Sequence, residues 1–201
     1  MYPPYWLSSK EGTYQQYGKV KGLLLMREYY VDDFKNKKEY KKFIEYMLEN
    51  SDFFSFIYFK EKENAPVKKS IRFFRSQLQK YKIYSKNTME WPNTQTFDTR
   101  HIYNMAFYYA KTECLDILCQ VKCLYDWDYP DAPMDLCFYK DGYCWFAVTA
   151  HEGFSYLYTD DLKVVKDLKK LGVNLEFKKN TSKIFYIDLN KKLKKFEKRK
   201  D

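Results

Sequence analysis

The stretch Leu136-Cys-Phe-Tyr-Lys-Asp-Gly142, running on through Tyr143-Cys-Trp-Phe-Ala-Val-Thr149 and Ala150-His-Glu-Gly153, decides the fold. Asp141-Gly142 sits between two aromatic and β-branched runs, and an Asp-Gly pair supplies the two positive-φ positions of a tight hairpin turn. The pattern predicts strands over 136–139 and 143–149, a turn, and a third strand over 154–158. Thr159 or Asp160 then caps a helix that turns Leu162, Val165, Leu168 and Leu171 inward, with Gly172 just past its end. Residues 136–172 are the folding centre of the C-terminal half.

Working outward, residues 1–19 read as an irregular lead-in and 20–31 as a strand whose middle is buried on both faces. Tyr40, Phe43, Ile44, Met47 and Leu48 fall at helical spacing between 36 and 50, and 53–60 is an aromatic strand. Pro66 suits the first turn of a second helix, over 66–82, with Val67, Ile71, Phe74, Leu78 and Tyr81 on one stripe. A strand can also begin within 81–84, and 85–97 reads as a loop or a boundary between halves. Residues 101–110 fit helical spacing, but their aromatic content favours a strand. Thr112 is placed to cap a helix ending near Cys123, with Cys119 and Cys123 sharing a face. Short strands over 175–177 and 184–188 would close the chain, followed by a basic tail over 190–201. The expected class is α+β: a mostly antiparallel, aromatic-rich sheet with three or four helices. Residues 1–201 are expected to form one unit; a division into two halves, 20–88 and 97–188, is compatible with the pattern but not required by it.

The 201 residues suffice for a buried core, and 21 Tyr, 16 Phe and 4 Trp supply much of its area. The net charge of +9 is unevenly spread. Residues 178–201 carry ten basic and three acidic residues, and 60–86 carry nine and two, whereas 113–161 hold ten acidic residues against Lys122 and Lys140. A divided charge pattern does not by itself point to nucleic acid. No apolar run spans a bilayer, and Met1-Tyr-Pro-Pro-Tyr-Trp-Leu7 lacks the basic-then-apolar pattern of an export signal. Cytoplasmic location with reduced thiols is expected for the five cysteines.

Six glycines form no phosphate-binding loop or dinucleotide fingerprint, so no cofactor is expected. The cysteines contain no Cys-x2-Cys pair, so no metal site is expected either; Cys137 and Cys144 flank the hairpin turn as candidate cross-strand neighbours. His151 beside Glu152 at a turn is the one candidate for acid–base chemistry, against the plainer reading of a histidine that fixes a turn. Lys68, Lys69, Arg72 and Arg75 on the second helix, with Lys194 and Lys195 in the tail, are candidates for binding nucleic acid or a nucleotide. Tyr125-Asp-Trp-Asp-Tyr129 is an acidic-aromatic loop suited to a protein partner or to self-association, with Trp127 as anchor or alternatively as a core lid. Tyr125, Asp126, Trp127, Asp128 and Tyr129, with Trp145, His151 and Glu152, make up the candidate partner surface.

The segment Asp135-Leu-Cys-Phe-Tyr-Lys-Asp-Gly-Tyr-Cys-Trp-Phe-Ala-Val-Thr-Ala-His-Glu152 resembles part of a set of small proteins of low-GC Gram-positive bacteria labelled stage III sporulation protein AH-like. The resemblance covers about forty residues and brings no catalytic motif. It implies a small cytoplasmic accessory protein, bacterial or phage-borne. Non-catalytic recognition of a protein partner, of inhibitor or immunity type, is the function expected; nucleic-acid or nucleotide binding and an enzyme built on His151 stand behind it.

Overall fold

The structure, a computed structural model, describes residues 25–61 and 68–189. Its centre is one eight-stranded antiparallel sheet. In chain order the elements are β1 (Met26–Val31), α1 (Lys37–Glu49), β2 (Phe53–Glu61), α2 (Lys69–Leu78), β3 (Lys82–Asn87), β4 (Glu90–Trp91), β5 (Thr94–Gln95) and β6 (His101–Tyr109). The short α3 (Leu115–Leu118) follows, then β7 (Met134–Lys140), β8 (Tyr143–Thr149), β9 (Phe154–Thr159), α4 (Leu162–Lys170) and β10 (Leu175–Thr181). The strand order across the sheet is β10-β1-β9-β8-β7-β2-β6-β3, and β4-β5 is a separate small hairpin.

Period-two alternation sorts the strand residues onto two faces. Phe54, Phe56 and Tyr58 on β2, Ala106 and Tyr108 on β6, and Leu136 and Phe138 on β7 point to the face that carries the four helices. Phe53 and Ile57, Met105 and Phe107, Cys137 and Tyr139 point the other way, under Trp91 of the small hairpin and under Ile187 and Leu189. The five residues predicted as the buried stripe of α1 are the five that it buries, and Asn36 caps it by accepting from Lys38 N and Glu39 N. The Asp141-Gly142 turn has positive φ at both positions, 52° and 81°. A Cβ on Gly142 would lie 2.7 Å from Tyr186 Cε2 and 2.8 Å from Ile187 O, so the closing segment packs against a bare backbone.

Several expectations are corrected. Residues 85–97 are not a plain loop: β3 and the β4-β5 hairpin occupy most of them. The helix after Thr112 stops at Leu118, with Cys119 as its cap, so Cys119 and Cys123 share no helix face. Residues 184–188 make only an isolated bridge, Tyr143 with Tyr186, instead of a strand. The cap of α4 is Asp161, whose side chain accepts from Lys163 N, and Leu162 is 62% exposed because that cap places it on the outer face of the first turn. In β1 the burial alternates instead of covering both faces. Pro66, Val67, the lead-in and the tail with Lys194 and Lys195 lie outside the described residues. No described helix is long and apolar enough to cross a membrane.

Candidate functional site: a groove beside the acidic-aromatic loop

The loop between α3 and β7 is the longest connection among the described residues, and its conformation follows from where Trp127 goes. The indole is fully buried, at 0% exposure, against Phe56 and Phe74 with ring centroids 4.6 and 5.4 Å away. Its Nε1 donates to the Tyr40 hydroxyl at 2.9 Å, and that hydroxyl donates to Leu118 O at 3.1 Å. Both polar groups are thereby satisfied in the core, as burial requires. Burial also holds the Tyr40 phenol well above its ordinary pKa. Trp127 is therefore no exposed anchor for a partner; it is a core residue. Trp145 is corrected in the same way: it is buried, with Nε1 donating to Ser51 Oγ at 2.9 Å.

With Trp127 fixed inward, Asp126 is exposed, while Tyr125, Asp128 and Tyr129 are half-buried beside it. Asp126 Oδ2 accepts from Lys122 N at 2.8 Å, and Asp128 Oδ1 accepts from Tyr129 N at 2.9 Å. Ser70 Oγ donates to Pro130 O at 2.7 Å, tying the loop to the start of α2. The Tyr129 ring stands edge-on to Phe59 at 4.3 Å, and Asp33 Oδ1 accepts from Leu124 N at 2.9 Å. Between loop and helix lies an open groove of about 850 Å³. Phe73, Tyr125 and Tyr129 supply its aromatic surface, while Asp126, Asp128 and Asp131 supply negative charge, with Lys69 and Lys122 as the cations. Four of the predicted partner residues, Tyr125, Asp126, Asp128 and Tyr129, thus line one concave surface.

Phe73, Asp131 and Ser70 were not among the predicted residues. Arg72-Phe-Phe-Arg75 carried a signal for the first: adjacent residues on a helix cannot both face the core, and Phe74 takes that place while Phe73 is 42% exposed. Asp135 was also missed. It is 1% exposed, with φ +55°, and joins three loops. Its carboxylate accepts from Trp91 Nε1 at 2.7 Å and from Ala150 N at 2.9 Å, while its own N–H donates to Trp127 O at 3.1 Å. Burial raises its pKa, opposed by those two donors and the nearby His151.

His151 and Glu152 sit on the turn that Asp135 holds, at the exposed surface, with Nε2 and Oε1 3.7 Å apart. A loose, solvated pair of this kind contributes little energy. His101 Nδ1 is 2.6 Å from Asp98 Oδ2, and Arg100 on the same carboxylate holds it well below the usual range. All five cysteines are free. Burial pushes the Cys114 thiol up to about 11 and, with Asp33 beside it, the Cys123 thiol to about 12; Cys119 and Cys137 are raised too. Such thiols stay protonated at neutral pH and are poor nucleophiles. Cys137 lies opposite Ala147 and Cys144 opposite Tyr139, on one sheet face. Among the described residues no group of three or more His, Cys, Asp or Glu could hold a metal ion.

Of the predicted nucleic-acid residues, Lys68, Lys69 and Arg72 are exposed. Arg75 lies over the Tyr58 ring at 4.5 Å, and Lys69 faces the acidic side of the groove. No protein-family model, curated protein or solved structure matches the chain.

Proposed function

We propose that this chain is a non-catalytic binding protein that seats a segment of a protein partner in the groove between α2 and residues 120–132. The observation that carries the reading is the division of labour in the loop. Trp127 is locked into the core, and the aromatic and carboxylate side chains around it form an open, preorganised concavity. Preorganisation spares a binding surface the entropy of ordering its side chains. Exposed aromatics beside charge are what a partner's hot-spot residues pack against. An inhibitor- or immunity-type role in a bacterial or phage setting is consistent with this, since such proteins act by occupancy alone. Three carboxylates beside Lys69 disfavour a phosphate backbone in the same groove.

The test is affinity capture from the native host with the intact chain and its Phe73→Asp and Tyr125→Ala variants. A partner retained by the parent and lost from Phe73→Asp is the expected outcome. Equal capture by all three overturns the groove as the docking site, and retention on immobilised single-stranded DNA through Arg72 would favour the nucleic-acid reading.

A further inference from the structure

We infer that the groove takes the lysine-rich C-terminal stretch, residues 190–201, of a second copy of this chain. The inference rests on the groove being a docking site and names its occupant.

Charge is the first argument. Residues 190–201 carry seven basic residues against Glu197 and Asp201, with Leu193 and Phe196 as the apolar members. The groove offers the counterpart: Asp126, Asp128 and Asp131 beside the half-exposed Phe73 ring. One of its walls belongs to the 113–161 stretch, where ten acidic residues oppose two lysines; the other is α2, which brings Lys69. A lysine-bearing segment gains on both counts, its ammonium groups on the carboxylates and its apolar side chains on Phe73 and Tyr125.

Geometry argues that the occupant comes from another copy. The groove loop runs into β7 at Met134. The described chain leaves at the opposite end of that strand, where Ile187 N donates to Gly142 O at 2.9 Å. The two ends of a seven-residue strand are roughly 20 Å apart. Leu189 also packs on the face away from the helices, whereas the groove borders Phe74 on the helix side. Twelve residues reach about 40 Å at full stretch. Reaching its own groove would use about half of that length along the strand alone, leaving only the last few residues to meet the carboxylates. A second copy has no such constraint, and two copies exchanging these stretches satisfy both grooves in a closed two-fold pair.

The experiment is light scattering on the full-length chain at about 50 mM and about 500 mM salt, a range over which screening of exposed charges rises steeply. Two full-length variants accompany it: one carrying Asp128→Lys with Asp131→Lys, the other carrying Lys191→Glu, Lys192→Glu, Lys194→Glu and Lys195→Glu. The parent is expected at about twice its 24.6 kDa at low salt and near the single mass at high salt. Each variant alone is expected as a monomer, and an equal mixture of the two is expected to regain the doubled mass, because each altered groove then meets a complementary stretch. Recovery on mixing also shows that neither variant failed to fold. A parent that stays monomeric at low salt overturns the inference, as does a dimer indifferent to either reversal or a mixture that does not recover. If capture of a host partner still depends on Phe73 in that case, the groove stands and only its proposed occupant falls; if capture ignores Phe73, both fall.

Discussion

Trp91 Nε1 donates to Asp135 Oδ2 at 2.7 Å, joining the small β4-β5 hairpin to the carboxylate that also holds the loops carrying Trp127 and His151. The bond crosses from the hairpin to the only Asp or Glu among the buried polar side chains of the described residues. Trp91→Phe leaves that oxygen unsatisfied and should cost about 1–3 kcal/mol at neutral pH. Burial already raises the Asp135 pKa, so this group stabilises the fold fully below the ordinary carboxylate range and loses that contribution as pH climbs through the raised value. Loss of the Trp91 donor raises it further. Urea midpoints should therefore show a smaller penalty near pH 4 than at pH 7; an equal penalty at both would mean the carboxylate is not the group responsible.

Trp127→Phe removes the donor to Tyr40 and the indole volume beneath the loop. A loss of about 2–4 kcal/mol is expected from the cavity and the lost bond together. The same change should loosen the groove, so limited trypsin treatment should cut at Lys122 faster than in the parent, where Lys122 N is tied to Asp126.

Two glycines separate backbone strain from crowding. Gly153 has φ +67° with open space where a Cβ would stand, so Gly153→Ala should cost only about 1 kcal/mol. Gly142→Ala adds a collision with Tyr186 and Ile187 O, and should cost at least about 1 kcal/mol more than Gly153→Ala. Chemical denaturation of both variants measures the difference.

The thiols give a test by titration. With Cys114, Cys119, Cys123 and Cys137 raised chiefly by burial, alkylation at pH 7.5 should label almost none of them in the folded protein, and all five cysteines in denaturant. Rapid labelling of Cys123, the one that is not fully buried, would show that the α3–β7 loop opens.

The α+β class, the hairpin at Asp141-Gly142, α1 with its five buried residues and the strand at 101–110 were legible because each rests on a local rule of period or turn chemistry. What failed depended on distant partners. The orientation of Trp127 is set by Tyr40, 87 residues away, and the place of 82–87 in the sheet by pairing with β6. Nothing within Tyr125-Asp-Trp-Asp-Tyr129 distinguishes an anchor from a pin. The groove was half legible: its acidic-aromatic wall is one run of sequence, whereas Phe73 and Ser70 reach it from α2.

β1 lies between β9 and β10, with Met26 opposite Thr181 and Arg27 opposite Thr159, and among the described residues it pairs with no other strand. Both of its neighbours are made in the last quarter of the chain. During synthesis this strand therefore has no partner in the described sheet until residues 154–181 have left the ribosome, and the eight-stranded sheet cannot close before then. Contacts of such sequence separation form slowly, and a strand left waiting is open to wrong partners. For this protein the vulnerable interval is the pause between making Met26 and making Thr181.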